Sequence, residues 1–190
     1  MTDSSTQVLK QAFEAYKARE FARAYLLYRS LAEQGHCESQ VFVGWMLYEG
    51  KGAAEDRDEA VLWFQKAAAL GYPRGAFFLG RSLTAAGRHP DAFYWYQKAA
   101  ASGYVPAIFR LGLAYAHGKG TSGNLSKAYQ YLTEAKNQGH VYAYREVALL
   151  DVQGNRGVLR RLTGLFGFIF IVLWGALITS FNPSSEQLVG

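Results

Sequence analysis

One phrase returns through this chain in fixed register. Ala67-Ala68-Ala69-Leu70-Gly71-Tyr72 recurs as Ala99-Ala100-Ala101-Ser102-Gly103-Tyr104, with weaker echoes at 32–36 and 135–140. The anchoring glycines are Gly35, Gly71, Gly103 and Gly139, separated by 36, 32 and 36 residues. Eleven residues before each stands an alanine (Ala24, Ala60, Ala92, Ala128), and nine after come Gly44, Gly80, Gly112 and Ala148. A period of roughly 20–50 residues means stacked supersecondary units, each able to bury its apolar face only against its neighbours.

Each unit reads as two helices. Val41, Val43, Gly44 and Leu47 form one helical stripe, with a glycine where another helix can approach closely. Ala60, Trp63, Phe64, Ala67 and Ala68 form the second stripe at steps typical of one helix face. Gly71, Gly103 and Gly139 follow the last apolar residue of a second helix, the left-handed cap position that glycine occupies at least cost. Pro90 is expected in the first turn of the next. Small residues facing large ones let the paired helices pack near contact distance.

The run Val43-Gly44-x-x-Leu47-x-x-Gly50-x-Gly52-Ala53-x-x-Asp56-x-x-x-Ala60-x-x-Trp63-Phe64-x-Lys66-Ala67-Ala68-x-x-Gly71 resembles the Sel-1-like repeat, a relative of the tetratricopeptide repeat. Leu111-Gly112-x-x-Tyr115-x-x-Gly118-x-Gly120 repeats its first half, and Asn124 stands where that family usually has Asp. The unit from Gly71 to Gly103 lacks the Gly-x-Gly and is four residues shorter, like a plain tetratricopeptide unit. The resemblance covers roughly 5–150. It implies an all-α solenoid whose concave surface recognises other proteins, and it implies no chemistry. By tetratricopeptide analogy, Trp45, Arg81 and Leu113, with Val41, Phe77 and Phe109, face a protein-binding groove.

A second feature sets the context. Residues 162–181, from Leu162 to Phe181, carry no charge. As a helix they rise about 30 Å, enough to cross a hydrocarbon core. Leu165 to Trp174 is apolar on every face apart from Gly167, unlike the amphipathic helices before it. The competing expectation is a buried final helix, but a small solenoid has no interior that surrounds a helix on all sides. Arg156, Arg160 and Arg161 precede the segment, and the tail 182–190 holds no Lys or Arg. The positive-inside bias then keeps the repeats in the cytoplasm and sends the C-terminus across the inner membrane as a single-pass, tail-anchored protein. Gly164, Gly167, Gly175 and Thr179 form a small-residue face suited to another membrane helix, though such glycines are also common in spans that pair with nothing. Residues 1–20 are polar and charged, so no N-terminal signal is expected.

Charge is unevenly placed. Residues 72–133 carry Arg74, Arg81, Arg88, Lys98, Arg110, Lys119 and Lys127 against Asp91 alone, whereas 1–71 are net acidic. Such a block suits an acidic partner or anionic headgroups, or is an ordinary solvated face. Nucleic acid is disfavoured, because the arginines are scattered singly and no nucleic-acid motif appears. The lone Cys37 fits a reducing compartment and departs from the cysteine-paired secreted branch of the Sel-1-like family.

No catalytic constellation emerges. His36, His89, His117 and His140 include no pair at metal-ligand spacing, and His36 and His140 share a structural slot that Tyr72 and Tyr104 fill in other copies. Gly50-Lys51-Gly52 and Gly118-Lys119-Gly120 lack the strand–helix context of a phosphate loop and read as turns. The expectation is therefore neither an enzyme nor a cofactor, metal or small-molecule protein.

The domain plan is a helix pair at 1–34, repeats over 35–152, a basic juxtamembrane segment at 153–161, the span at 162–181 and a tail at 182–190. The function expected is a membrane-anchored scaffold, an accessory subunit of a larger bacterial membrane complex. Envelope or exopolysaccharide machinery is the context the resemblance suggests. The alternative is a regulator that recruits a soluble client to the membrane and releases it in high salt.

Overall fold

The computed structural model describes residues 3–153 and, beyond them, residues 166, 167, 169, 170, 172 and 173. Among the described residues the helices run α1 Asp3–Lys17, α2 Phe21–Glu33, α3 Cys37–Tyr48, α4 Arg57–Ala69, α5 Pro73–Ala85, α6 His89–Ala101, α7 Val105–His117, α8 Leu125–Asn137 and α9 Val141–Gln153. The chain divides into two compact units, Met1–Ser102 and Gly103–Gly190. The first stacks three helix pairs, α1/α2, α3/α4 and α5/α6; the second holds the pair α7/α8 followed by α9.

The register marks translate directly into packing. Ala24, Ala60, Ala92 and Ala128 are all at most 2% exposed, so each second helix sits close on its partner. Across from them, a Cβ on Gly44 would lie 2.6 Å from Phe64, one on Gly80 2.7 Å from Tyr96, and one on Gly112 2.6 Å from Leu132. Each of those large side chains stands seven residues before its register glycine and fills the space the missing Cβ leaves. Burying one such side chain contributes about 1.5–3 kcal/mol.

Backbone bonds end the second helices as the glycines require. At the end of α4 the Tyr72 amide donates to the Ala67 carbonyl at 3.0 Å and the Gly71 amide to Ala68 at 3.0 Å, with Gly71 at φ +76°. This is the Schellman arrangement. The long inter-helix turns are also built alike. The Asp56 carboxylate accepts from the Glu59 amide at 2.8 Å to start α4, and the Asn124 side chain accepts from the Lys127 amide at 2.9 Å to start α8. Asn substitutes for Asp there because only a side-chain acceptor is needed. Gly52 is the tightest point: at φ +80°, any Cβ would collide with the Phe21 carbonyl.

Among the described residues no helix is long and apolar enough to cross a membrane. Most of 162–181 lies outside the described residues, including Gly164, Gly175 and Thr179 of the small-residue face, as do 154–161 and 182–190. Gly167 is helical, with open space where a Cβ would point.

Candidate functional site

The first helices of the first unit present two aligned rows. Along α3 and its C-cap, Glu38, Phe42, Trp45 and Glu49 follow one another at helical steps; on α5 the same register positions hold Arg74, Phe78, Arg81 and Ala85. Trp45 and Arg81 share one narrow cleft with Tyr48, Glu49, Phe64, Phe78 and Ser82, enclosing only about 10 Å³. That is room for about one water, far below a small-molecule pocket.

Rings and cations meet at and beneath this face, with Tyr28, Phe64 and Phe78 buried. Tyr28 stacks on Phe42 with ring centroids 4.7 Å apart, and Phe64 stacks on Phe78 at 5.2 Å. Tyr16 of α1 meets the edge of Trp45 at 5.9 Å. The Lys51 ammonium stands 4.5 Å from the Trp45 centroid, and the Arg81 guanidinium 5.4 Å from Phe78. Burial, and then the nearby Glu38 carboxylate and Tyr16, push the Tyr28 hydroxyl up to about 12; burial and Glu49 raise that of Tyr16. Both phenols stay neutral at physiological pH and serve as packing groups.

The expected groove residues divide in two. Trp45 and Arg81 come together in the cleft, half-buried. Leu113, also half-buried, lies on α7 of the second unit. Val41 and Phe77 are 1% exposed and lie beneath this face, and Phe109, on α7 of the second unit, is 9% exposed, so these three offer a partner almost nothing. The reason is angular. Three residues back along a helix is about 60° around from the starting residue, so each of them sits next to the closely packed face of Gly44, Gly80 or Gly112. Two residues back is about 160° around, and those residues are Phe42, Phe78 and Arg110. Phe42 and Arg74, both half-buried, belong to the surface that sequence reasoning missed, while Phe78 is 7% exposed and backs it from beneath. Phe42 stands three residues from Trp45 and Arg74 seven from Arg81, and that spacing was the signal available.

In the second unit the equivalent positions carry different chemistry. Phe109 stacks on His140 at 4.1 Å with an interplanar angle of 20°. Burial, and secondarily Arg110, lower the pKa of His140. His36 fills the same slot before α3, where its Nδ1 accepts from the Ser39 amide at 3.2 Å. Among the described residues no three His, Cys, Asp or Glu side chains gather as a metal site would need.

Known proteins match this arrangement. The Sel1 repeat model matches residues 18–36, 37–72, 89–104 and 105–140, more than half of the chain. The crystal structure of a Sel1 repeat protein from Oxalobacter formigenes superposes with a TM-score of 0.75 at 25% identity, over 88% of this chain and 68% of that one. A protective antigen of uropathogenic Escherichia coli with the same repeat fold gives 0.69 at 23% identity, over 90% of this chain and 38% of that one. An uncharacterised protein of Neisseria meningitidis serogroup B is 36% identical over 127 residues, 65% of this chain, and this chain spans about a quarter of that relative's length (26%). Sel1 repeats generally mediate protein–protein interactions and are generally non-catalytic. Matched repeat by repeat in sequence and in helix packing, the chain belongs to the Sel1 repeat family.

Proposed function

We propose that this protein is a membrane-anchored scaffold whose first-helix face holds a protein partner beside the bilayer, as an accessory subunit of a larger bacterial membrane complex. The observation that carries the binding half is the cleft shared by Trp45 and Arg81, which places an aromatic and an arginine anchor side by side on a face too shallow for a small ligand. The anchor half rests on the uncharged run 162–181 and the Arg156, Arg160 and Arg161 flank. Exposure of Phe166 (69%) and Leu173 (64%) supports it, since apolar side chains of that size want a non-aqueous neighbour. The orientation that follows keeps the repeats in the cytoplasm and the tail on the far side. Envelope or exopolysaccharide machinery is the proposed setting, by family analogy.

The test places a photo-crosslinking residue at Ser82 of the full chain in cells. The expected result is an adduct to a membrane protein that disappears in the Trp45→Ala variant while helix content is unchanged. Absence of any membrane-protein adduct, or release of the full chain from membranes by alkaline carbonate, would overturn the proposal.

A further inference from the structure

The cations on this face are left with donors to spare. Arg74 lies 5.3 Å from the Phe42 centroid and 5.9 Å from Phe78, and its Nε is buried with no acceptor among the described residues. Arg81 lies 5.4 Å from the centroid of the same Phe78 ring. Nearby carboxylates serve other cations: Glu55 pairs with Arg57 at 2.7 Å, and Glu33 and Glu59 with Arg29 at 3.1 and 3.7 Å. Among the described residues no carboxylate comes within ion-pair distance of Arg74, Arg81 or Lys51. A guanidinium stacked on a ring keeps its edge free, and that edge matches a carboxylate.

We infer that the α3/α5 face takes an acidic peptide segment of its protein partner, with carboxylates on Arg74 and Arg81 and an apolar side chain between them against Phe42, next to Trp45. This rests on the reading of that face as protein-binding and names the chemistry of the partner. Arg74 and Arg81 are seven residues apart on α5, a rise of about 10 Å. A segment in the polyproline II conformation rises about 9 Å per three-residue turn and returns a side chain to the same face each turn. The occupant therefore carries acidic residues three apart. The charge complementarity is local: Lys51, Arg74 and Arg81 stand on this face without an ion-pair partner among the described residues, against Glu38 and Glu49 on the neighbouring row. An anionic lipid surface fits less well. Glu38 and Glu49 stand at the two ends of the α3 row and repel a continuous negative sheet, yet leave discrete carboxylates free to dock on α5.

The probe is a fluorescent synthetic peptide of repeated Glu-Leu-Ser triplets, titrated by anisotropy against the full chain in neutral detergent. Binding is expected, and at least about tenfold weaker binding for the Gln-Leu-Ser counterpart. Arg74→Gln and Arg81→Gln are each expected to weaken the Glu peptide about fivefold or more, with unchanged circular dichroism. Should Arg74→Gln unfold, Arg81→Gln on its own decides the matter. Equal affinity for the Glu and Gln peptides, or indifference to Arg81→Gln, sinks the inference. Displacement of the peptide by monomeric short-chain phosphatidylglycerol sinks it too, by identifying a lipid headgroup as the anion. A crosslink from Ser82 that persists without any acidic preference would leave the scaffold reading standing while this one fell.

Discussion

The pairs α3/α4 and α7/α8 share a skeleton and differ in what they show to solvent. Both turns carry the same backbone bonds: Lys51 to Met46 at 2.8 Å and Asp56 to Leu47 at 3.1 Å in one, Lys119 to Ala114 at 3.0 Å and Asn124 to Tyr115 at 2.8 Å in the other. Both pack a large side chain on a glycine, Phe64 on Gly44 and Leu132 on Gly112. On the outer register positions, however, Phe42 and Trp45 in α3 become Arg110 and Leu113 in α7. The repeat dictates the positions that neighbours must fill and leaves the others open. Recognition can be written only in the open ones.

The largest effect should come from breaking the shared skeleton. Phe64→Ala is expected to cost about 3–5 kcal/mol and Leu132→Ala about 2–5 kcal/mol, read from urea unfolding followed by circular dichroism. If both cost under about 1 kcal/mol, the glycine–large pairing is not what holds the helix pairs together.

Exchanging the open positions should sharpen the contrast. Trp45→Leu gives α3 the side chain that α7 carries, and is expected to weaken partner capture about tenfold or more, roughly 1.4 kcal/mol, without loss of helix content. Leu113→Trp should leave capture unchanged. Equal losses in both variants would mean that recognition is not confined to the α3/α5 face.

The contrast also explains what could be read without coordinates. Gly71, Pro90 and Ala60 had one structural use each, so period and chemistry together placed the second helices, their caps and their close packing. The outer face was harder. A helix of this repeat is packed on more than one side, and Val41 and Phe42 differ by a single step in sequence. Only the angle to Gly44 separates a buried support from a surface residue. The unmet Arg74 donor was invisible for a further reason: it depends on Phe42 and Phe78, from different helices, both approaching one guanidinium.

A smaller effect tests the turns. Asp56→Ala and Asn124→Ala each remove one acceptor from a helix start and should cost about 1 kcal/mol. Asp56→Asn should fall within about 0.5 kcal/mol of the parent, because Asn124 already does the same work in the other pair. A much larger loss in Asp56→Asn would show that charge at the α4 start, beside Asp58 and Glu59, matters more than the hydrogen bond.

The smallest effect concerns the slot before each first helix, held by Tyr72 in one unit and His140 in the other. His140 is stacked on Phe109, its Nδ1 is buried without a partner among the described residues, and burial lowers its pKa. A histidine whose folded pKa lies below the unfolded value of about 6.5 binds its proton less readily when folded. Its contribution is intact above about pH 6.5 and is lost as pH falls from there toward the lowered pKa. The melting temperature should therefore drop between about pH 7.5 and about pH 5.5, and part of that drop should vanish in His140→Tyr, which installs the ring that Tyr72 and Tyr104 supply elsewhere. Tyrosine keeps an aromatic stack on Phe109 and takes no proton in this range, so the variant separates titration from packing. An identical acid slope in parent and variant would assign the pH dependence to other groups and make the two slots equivalent after all.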